Sequence, residues 1–148
     1  MPIKRQIVLA AAALAILSGS AGSLPARAAN DICPVVSSQG WEAWLAETPY
    51  SNGRLMLYVR GSLSLPTPGY MVSLRAGPTT RSMPPTQIVV LETREPENRI
   101  VSQVVVQGGV SVILPGQEAY ESVRVVCGNT LLHEFTDVPV FGRDAREK

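Results

Sequence analysis

Two cysteines, a single histidine beside a glutamate, two tryptophans and a pair of arginines carry most of the chemistry available to this sequence of 148 residues. A catalytic thiol or a thiolate metal site needs a second thiol or a histidine close by in the motif, and neither Cys33 nor Cys127 has one. In an oxidising compartment the two would pair, tying the first segment of the mature chain to one of its last. Closing a loop of that length stabilises by about 4 to 5 kcal/mol on the chain-entropy model. His133 and Glu134 are adjacent, and neighbours on a strand point to opposite faces, so they make no acid–base dyad. No serine sits in a glycine-flanked elbow, and one histidine makes no metal site without several converging carboxylates. The sequence therefore predicts no catalytic residue, no metal ligand set and no cofactor.

The arginines draw attention to the elements that must hold them. From Leu55 to Leu65 every odd position is apolar or glycine, while the even positions carry Met56, Tyr58, Arg60, Ser62 and Ser64, the pattern of a half-buried strand. Pro66, Thr67, Pro68 and Gly69 have turn chemistry, and the alternation resumes with Tyr70, Val72, Leu74 and Ala76. Read as one long β-hairpin with Leu65 opposite Tyr70, this stretch sets Arg60 opposite Arg75 on the outer face. Two opposed guanidinium groups call for an acid on a neighbouring strand, with Glu92 first in line, or for an anionic ligand held in bidentate fashion.

Trp41, Trp44 and Leu45 lie three and four apart, a spacing that puts them on one face of a short N-terminal helix capped by Ser38 and stopped at Thr48-Pro49. They read either as an exposed aromatic platform for a glycan or peptide or as the closure of one end of the core. Further strands are expected over Gln87 to Thr93, Ile100 to Gln107, Val110 to Leu114, Tyr120 to Cys127 and Thr130 to Phe135, with a last one over Val138 to Phe141. Gly108-Gly109 reads as a hairpin turn, and Val123, Val125 and Cys127 share a face. About seven or eight short strands with regular turn punctuation predict an all-β, antiparallel Ig-like sandwich.

Lys4 and Arg5 precede an unbroken apolar run from Ile7 to Leu17, and a small, polar stretch leads to Ala26-Arg27-Ala28. This is the pattern of a secretory signal peptide over 1–28, too short in its apolar run to span a bilayer. It leaves one domain over 29–142 and a frayed polar tail over 143–148. Without Lys4, Arg5 and Arg27 the cations fall from 13 to 10 against 12 acids, a formal charge of −2. With no basic run, no nucleic-acid partner is expected, and no membrane insertion follows signal cleavage.

Two stretches resemble known families. Leu114-Pro115-Gly116 with Tyr120, Val123 and Val125 resembles the corner tyrosine of fibronectin type III domains, although the valines stand at odd offsets from the tyrosine where that family has even ones. The resemblance implies an Ig-like sandwich. Pro66-Thr67-Pro68-Gly69-Tyr70 followed by Gly108-Gly109 is similar to the loop order of chagasin-type inhibitors of papain-like proteases. Leu65 and Pro68 replace that family's asparagine and second threonine, and its Arg-Pro-Trp third loop is absent from the sequence. This likeness implies that Pro66 to Tyr70 would enter a protease cleft.

Taken together, the sequence predicts a periplasmic or secreted, non-enzymatic binding or structural module of the cell envelope, working through loops and one sheet edge. The expected partner is another envelope or extracellular protein. The alternatives are an inhibitor of papain-like proteases and a small periplasmic hydrolase. Ligand identity and oligomeric state are open at this level.

Overall fold

Side chains that alternate inward and outward along a strand can bury one row only if a second sheet covers it, and in this chain two sheets cover each other. The computed structural model describes residues 32–97 and 104–142. In chain order the strands are β1 (Ser37–Glu47), β2 (Leu55–Leu65), β3 (Met71–Thr79), β4 (Thr86–Arg94), β5 (Val106–Pro115), β6 (Ser122–Cys127), β7 (Thr130–Phe135) and β8 (Val140–Phe141). The first sheet has the order β5-β2-β1-β8 and the second β3-β4-β6-β7. The only helical turn among the described residues is a 3-10 turn at Pro49–Ser51, where Ser51 Oγ accepts from Thr48 N–H at 3.1 Å. The signal-peptide and tail segments predicted from sequence lie outside the described residues, as does much of the strand expected over Ile100 to Gln107.

Between the sheets, Leu45, Leu57, Val59, Leu63, Val89, Val123, Val125 and Cys127 are fully buried, and they belong to a single core cluster. Burying each large aliphatic among them stabilises by roughly 1.5 to 3 kcal/mol before conformational entropy is set against it. At the edge of this core Cys33 and Cys127 form the expected disulfide, with Cα atoms 5.3 Å apart. The bridge joins the segment before β1 to the last residue of β6, and so staples the two sheets together. A disulfide of this kind fits an oxidising compartment.

Four sequence expectations need correction. The first is the helix over Trp41 to Leu45, which is part of the eleven-residue strand β1. Gly40, in the left-handed region at φ 62°, and Trp41 together oppose Gly61 of β2, forming a β-bulge between Gln39 and Glu42. The extra residue shifts the parity of the strand, so Trp41, Ala43 and Leu45 face the core while Glu42 and Trp44 face outward. Two tryptophans on opposite faces of one strand thus produce a spacing that imitates a helix.

Second, β2 and β3 do not form a hairpin. The chain leaves the first sheet at Leu65, passes through Pro66 to Tyr70, and enters the second sheet at Met71. Arg60 is therefore opposite Glu42 and Ser111, Arg75 is opposite Val90, and the two arginines are in different sheets. The alternation could not tell the two arrangements apart, because a strand facing the core from the opposite sheet has the same period as one lying alongside.

Third, Gly108 and Gly109 are not a turn. They lie inside β5, opposite Leu63 and Ser62 of β2. Fourth, the sheets are mixed rather than antiparallel, since β1 pairs β8 and β4 pairs β6 in parallel. The chain between β4 and β6 visits the first sheet as β5 and returns running in its original direction.

Candidate functional site

The parity set by the Gly40 bulge gives the outer face of the first sheet its composition. Beyond the bulge, β1 presents Glu42, Trp44 and Ala46, each beside a β2 residue: Arg60, Tyr58 and Met56. Across β2 the rows continue to Ser111, Ile113 and Pro115 of β5, and on the far side Phe141 of β8 stands beside Ala46. The Trp44 and Tyr58 rings are parallel, with centroids 5.3 Å apart. Arg60 lies over the Trp44 ring, its guanidinium carbon 5.3 Å from the centroid, while its Nε donates to Glu42 Oε2 at 2.5 Å. A guanidinium over an indole is attractive through the ring quadrupole, and the carboxylate fixes its orientation.

This cluster brings together two residues singled out in the sequence, Trp44 and Arg60, and adds Glu42 and Tyr58, which were missed. Tyr58 has the same outward parity as Arg60 and was legible as such. Its meeting with Trp44 required β1 to be a strand. Because the rings stack on each other, each has one face covered, which leaves an edge-up aromatic ridge rather than a flat platform. Ile113 at 56% and Phe141 at 56% exposure flank the ridge, making this half of the face apolar. The other half is polar, with Gly40, Glu42, Arg60, Ser62, Gly109 and Ser111 lining a shallow open groove.

The remaining predicted positions disperse. Trp41 turns inward and packs on Gly61, where it joins the core as a partly buried neighbour. Arg75 stands on the outer face of the second sheet and its Nε donates to Glu92, although the opposition to Arg60 that called for an acid there does not exist. Arg75 and Glu92 line a groove of about 640 Å³ that Val90, Val126 and Ile32 also border. Pro66 to Tyr70 cross between the sheets, with Gly69 at φ 90° close against Pro96. Gly108-Gly109, as part of a strand, cannot act as the glycine-rich loop that the inhibitor likeness needs. His133 leans edge-on against Phe135, with centroids 4.6 Å apart, whereas Glu134 accepts from Arg124 Nε at 2.7 Å. The two adjacent residues thus have separate partners, and the Arg124 guanidinium holds the Glu134 carboxyl below its usual range, with the Ser122 hydroxyl adding to the effect.

Tyr120 lies in the connection from β5 to β6, and its hydroxyl accepts the Gln117 N–H at 3.0 Å. Burial raises its phenol pKa above the ordinary value, and the bond from Gln117 partly offsets that. The contact ties the Tyr120 ring back onto the segment that follows β5. Comparison with known proteins finds no matching family model, curated protein or solved structure.

Proposed function

We propose that this chain is an exported, non-enzymatic binding module of the cell envelope, periplasmic or secreted, whose partner is another envelope or extracellular protein. The observation that carries this reading is the ordered aromatic ridge on the outer face of the first sheet: Trp44 stacked on Tyr58, Arg60 over the indole and Glu42 holding the arginine. Tryptophan, tyrosine and arginine are the residue types enriched at protein-interface hot spots. Here the Trp44–Tyr58 stack and the Arg60–Glu42 bond favour one arrangement of these side chains in advance of a partner, which lowers the cost of binding. Export is supported by the Lys4-Arg5 and Ile7 to Leu17 pattern and by the disulfide. An Ig-like assignment within the sandwich class draws on the Tyr120 contact.

A photo-crosslinking residue placed at Phe141 in cells tests this. It should yield a discrete adduct heavier than the chain, and that adduct should be lost in Trp44→Ala while the melting midpoint stays nearly constant. Absence of any adduct at Phe141, or an adduct indifferent to Trp44→Ala, overturns the reading.

A further inference from the structure

The two sheets end in four edge strands, β5 and β8 in the first and β3 and β7 in the second. An edge strand offers unpaired N–H and C=O groups to any other strand, and proteins blunt this with short length, charge, proline or bulges. Three of the edges are blunted. β8 has two residues; β3 carries Arg75, Pro78 and a register break between Ala76 and Thr79; β7 carries His133 and Glu134 beside a register break in its pairing with β6.

Among the described residues the fourth edge, β5, lacks these devices, although part of it lies close to β3 of the facing sheet. From Val104 to Gly116 the sequence holds no charged side chain, and its one proline, Pro115, is the last residue of β5. Pairing with β2 runs without a break from Val106 to Pro115, and among the described residues no strand pairs the other edge. Within β5 the side chains are distributed unevenly. A Cβ built on Gly108 or Gly109 would meet nothing within 4 Å, so both faces are open at one end, whereas Ile113 and Leu114 fill the other.

About Ser111 this strand is its own complement: Val110 mirrors Val112, Gly109 mirrors Ile113 and Gly108 mirrors Leu114. We propose that β5 pairs with β5 of a second copy of this chain, antiparallel about a two-fold axis at Ser111, joining two four-stranded sheets into one. In that register Ser111 meets the partner's Ser111, and the exposed Ile113 extends the outer row of Trp44 and Tyr58 over the partner's Gly109. On the inner face Leu114 extends the row of Leu45 and Leu57 beside the partner's Gly108. For a strand that meets its own copy about Ser111, a stretch without charge leaves no like charges opposed near the axis, where residues lie close to their own duplicates. A strand from an unrelated protein would require neither the neutrality nor the mirror arrangement. This pairing uses the opposite edge of the sheet from Phe141 and is independent of the partner proposed above.

Sedimentation equilibrium of the mature protein should give twice the mass of one chain, and Ser111→Lys should give a single chain with the Cys33–Cys127 bridge intact. Ser111→Cys should form a covalent dimer under mild oxidation, because the axis brings residue 111 against itself, whereas Gln107→Cys should not. A single-chain mass for the unmodified protein at the highest concentrations it tolerates overturns the proposal. So does a dimer that survives Ser111→Lys and stays uncrosslinked in Ser111→Cys. Should Ser111→Lys fail to fold, the contrast between the two cysteine variants decides alone.

Discussion

Trp41 lies directly on Gly61: a Cβ added at Gly61 would stand 2.3 Å from the indole Cε3, far inside contact distance. The pair forms where the β1 bulge sets Gly40 and Trp41 against a single residue of β2, and the missing Cβ of Gly61 leaves room for the ring. Gly61→Ala should therefore destabilise the fold by about 1 to 3 kcal/mol, as overpacking does elsewhere. Denaturant titration followed by tryptophan fluorescence checks this. In a Trp41→Leu background the penalty should shrink, because the clashing ring is gone.

The Cys33–Cys127 bridge closes a loop with a sequence separation of 94. Cys127→Ala should lower the melting midpoint by many degrees, in keeping with about 4 to 5 kcal/mol from a loop of that size. Unreduced mature protein should yield no alkylated thiol by mass spectrometry, and two alkylated thiols would contradict the bridge.

Arg60 and Arg75 each rest against an acid, Glu42 and Glu92, in surface pairs with both partners about half exposed or more. Such pairs contribute about 1 kcal/mol or less. Arg75→Ala should thus change thermal stability slightly. Arg60→Ala should cost somewhat more, since it also removes the cation over Trp44. A double-mutant cycle of Arg60 with Trp44 should return a coupling that a cycle of Arg75 with Trp44 does not.

Glu134 titrates below its ordinary range chiefly because Arg124 bonds its carboxylate. A carboxyl with a depressed folded-state pKa contributes stability that is complete above its unfolded value and is lost as the pH falls through the lower folded value. Urea denaturation across acid pH should show the gap between the unmodified protein and Glu134→Gln closing over that window. A gap that does not change with pH would count against the Arg124 contact.

The sequence made the strands more legible than their partners. β2, β4 and β7 fall within a residue or two of their expected bounds, because alternation and glycine or proline punctuation are local signals. The inward set Val123, Val125 and Cys127, and with it the bridge, follow from the same period. What was hidden is non-local. Whether β2 continues into β3 in one sheet or crosses to the other leaves the same alternation in both, and only burial across the core decides between them. At the ridge, the three-and-four spacing of Trp41, Trp44 and Leu45 imitated a helix and hid β1, and the bulge at Gly40 shifts the strand's parity, so Trp44 could not be seen beside Tyr58 from spacing alone. The Gly108-Gly109 dipeptide resembled a turn because its chemistry permits one, yet extended glycine is equally allowed and the flanking register with β2 enforced it.

The bridge also sets how the domain would carry mechanical tension. A pull applied between a point before Cys33 and a point after Phe141 passes along the chain to Cys33, across the sulfurs to Cys127, and onward through β7 and β8. The segment between the two cysteines, which supplies β1 to β6, is shunted out of the covalent load path. Extension of the oxidised protein is then limited to the stretch beyond Cys127, and reduction would release the remainder as additional slack.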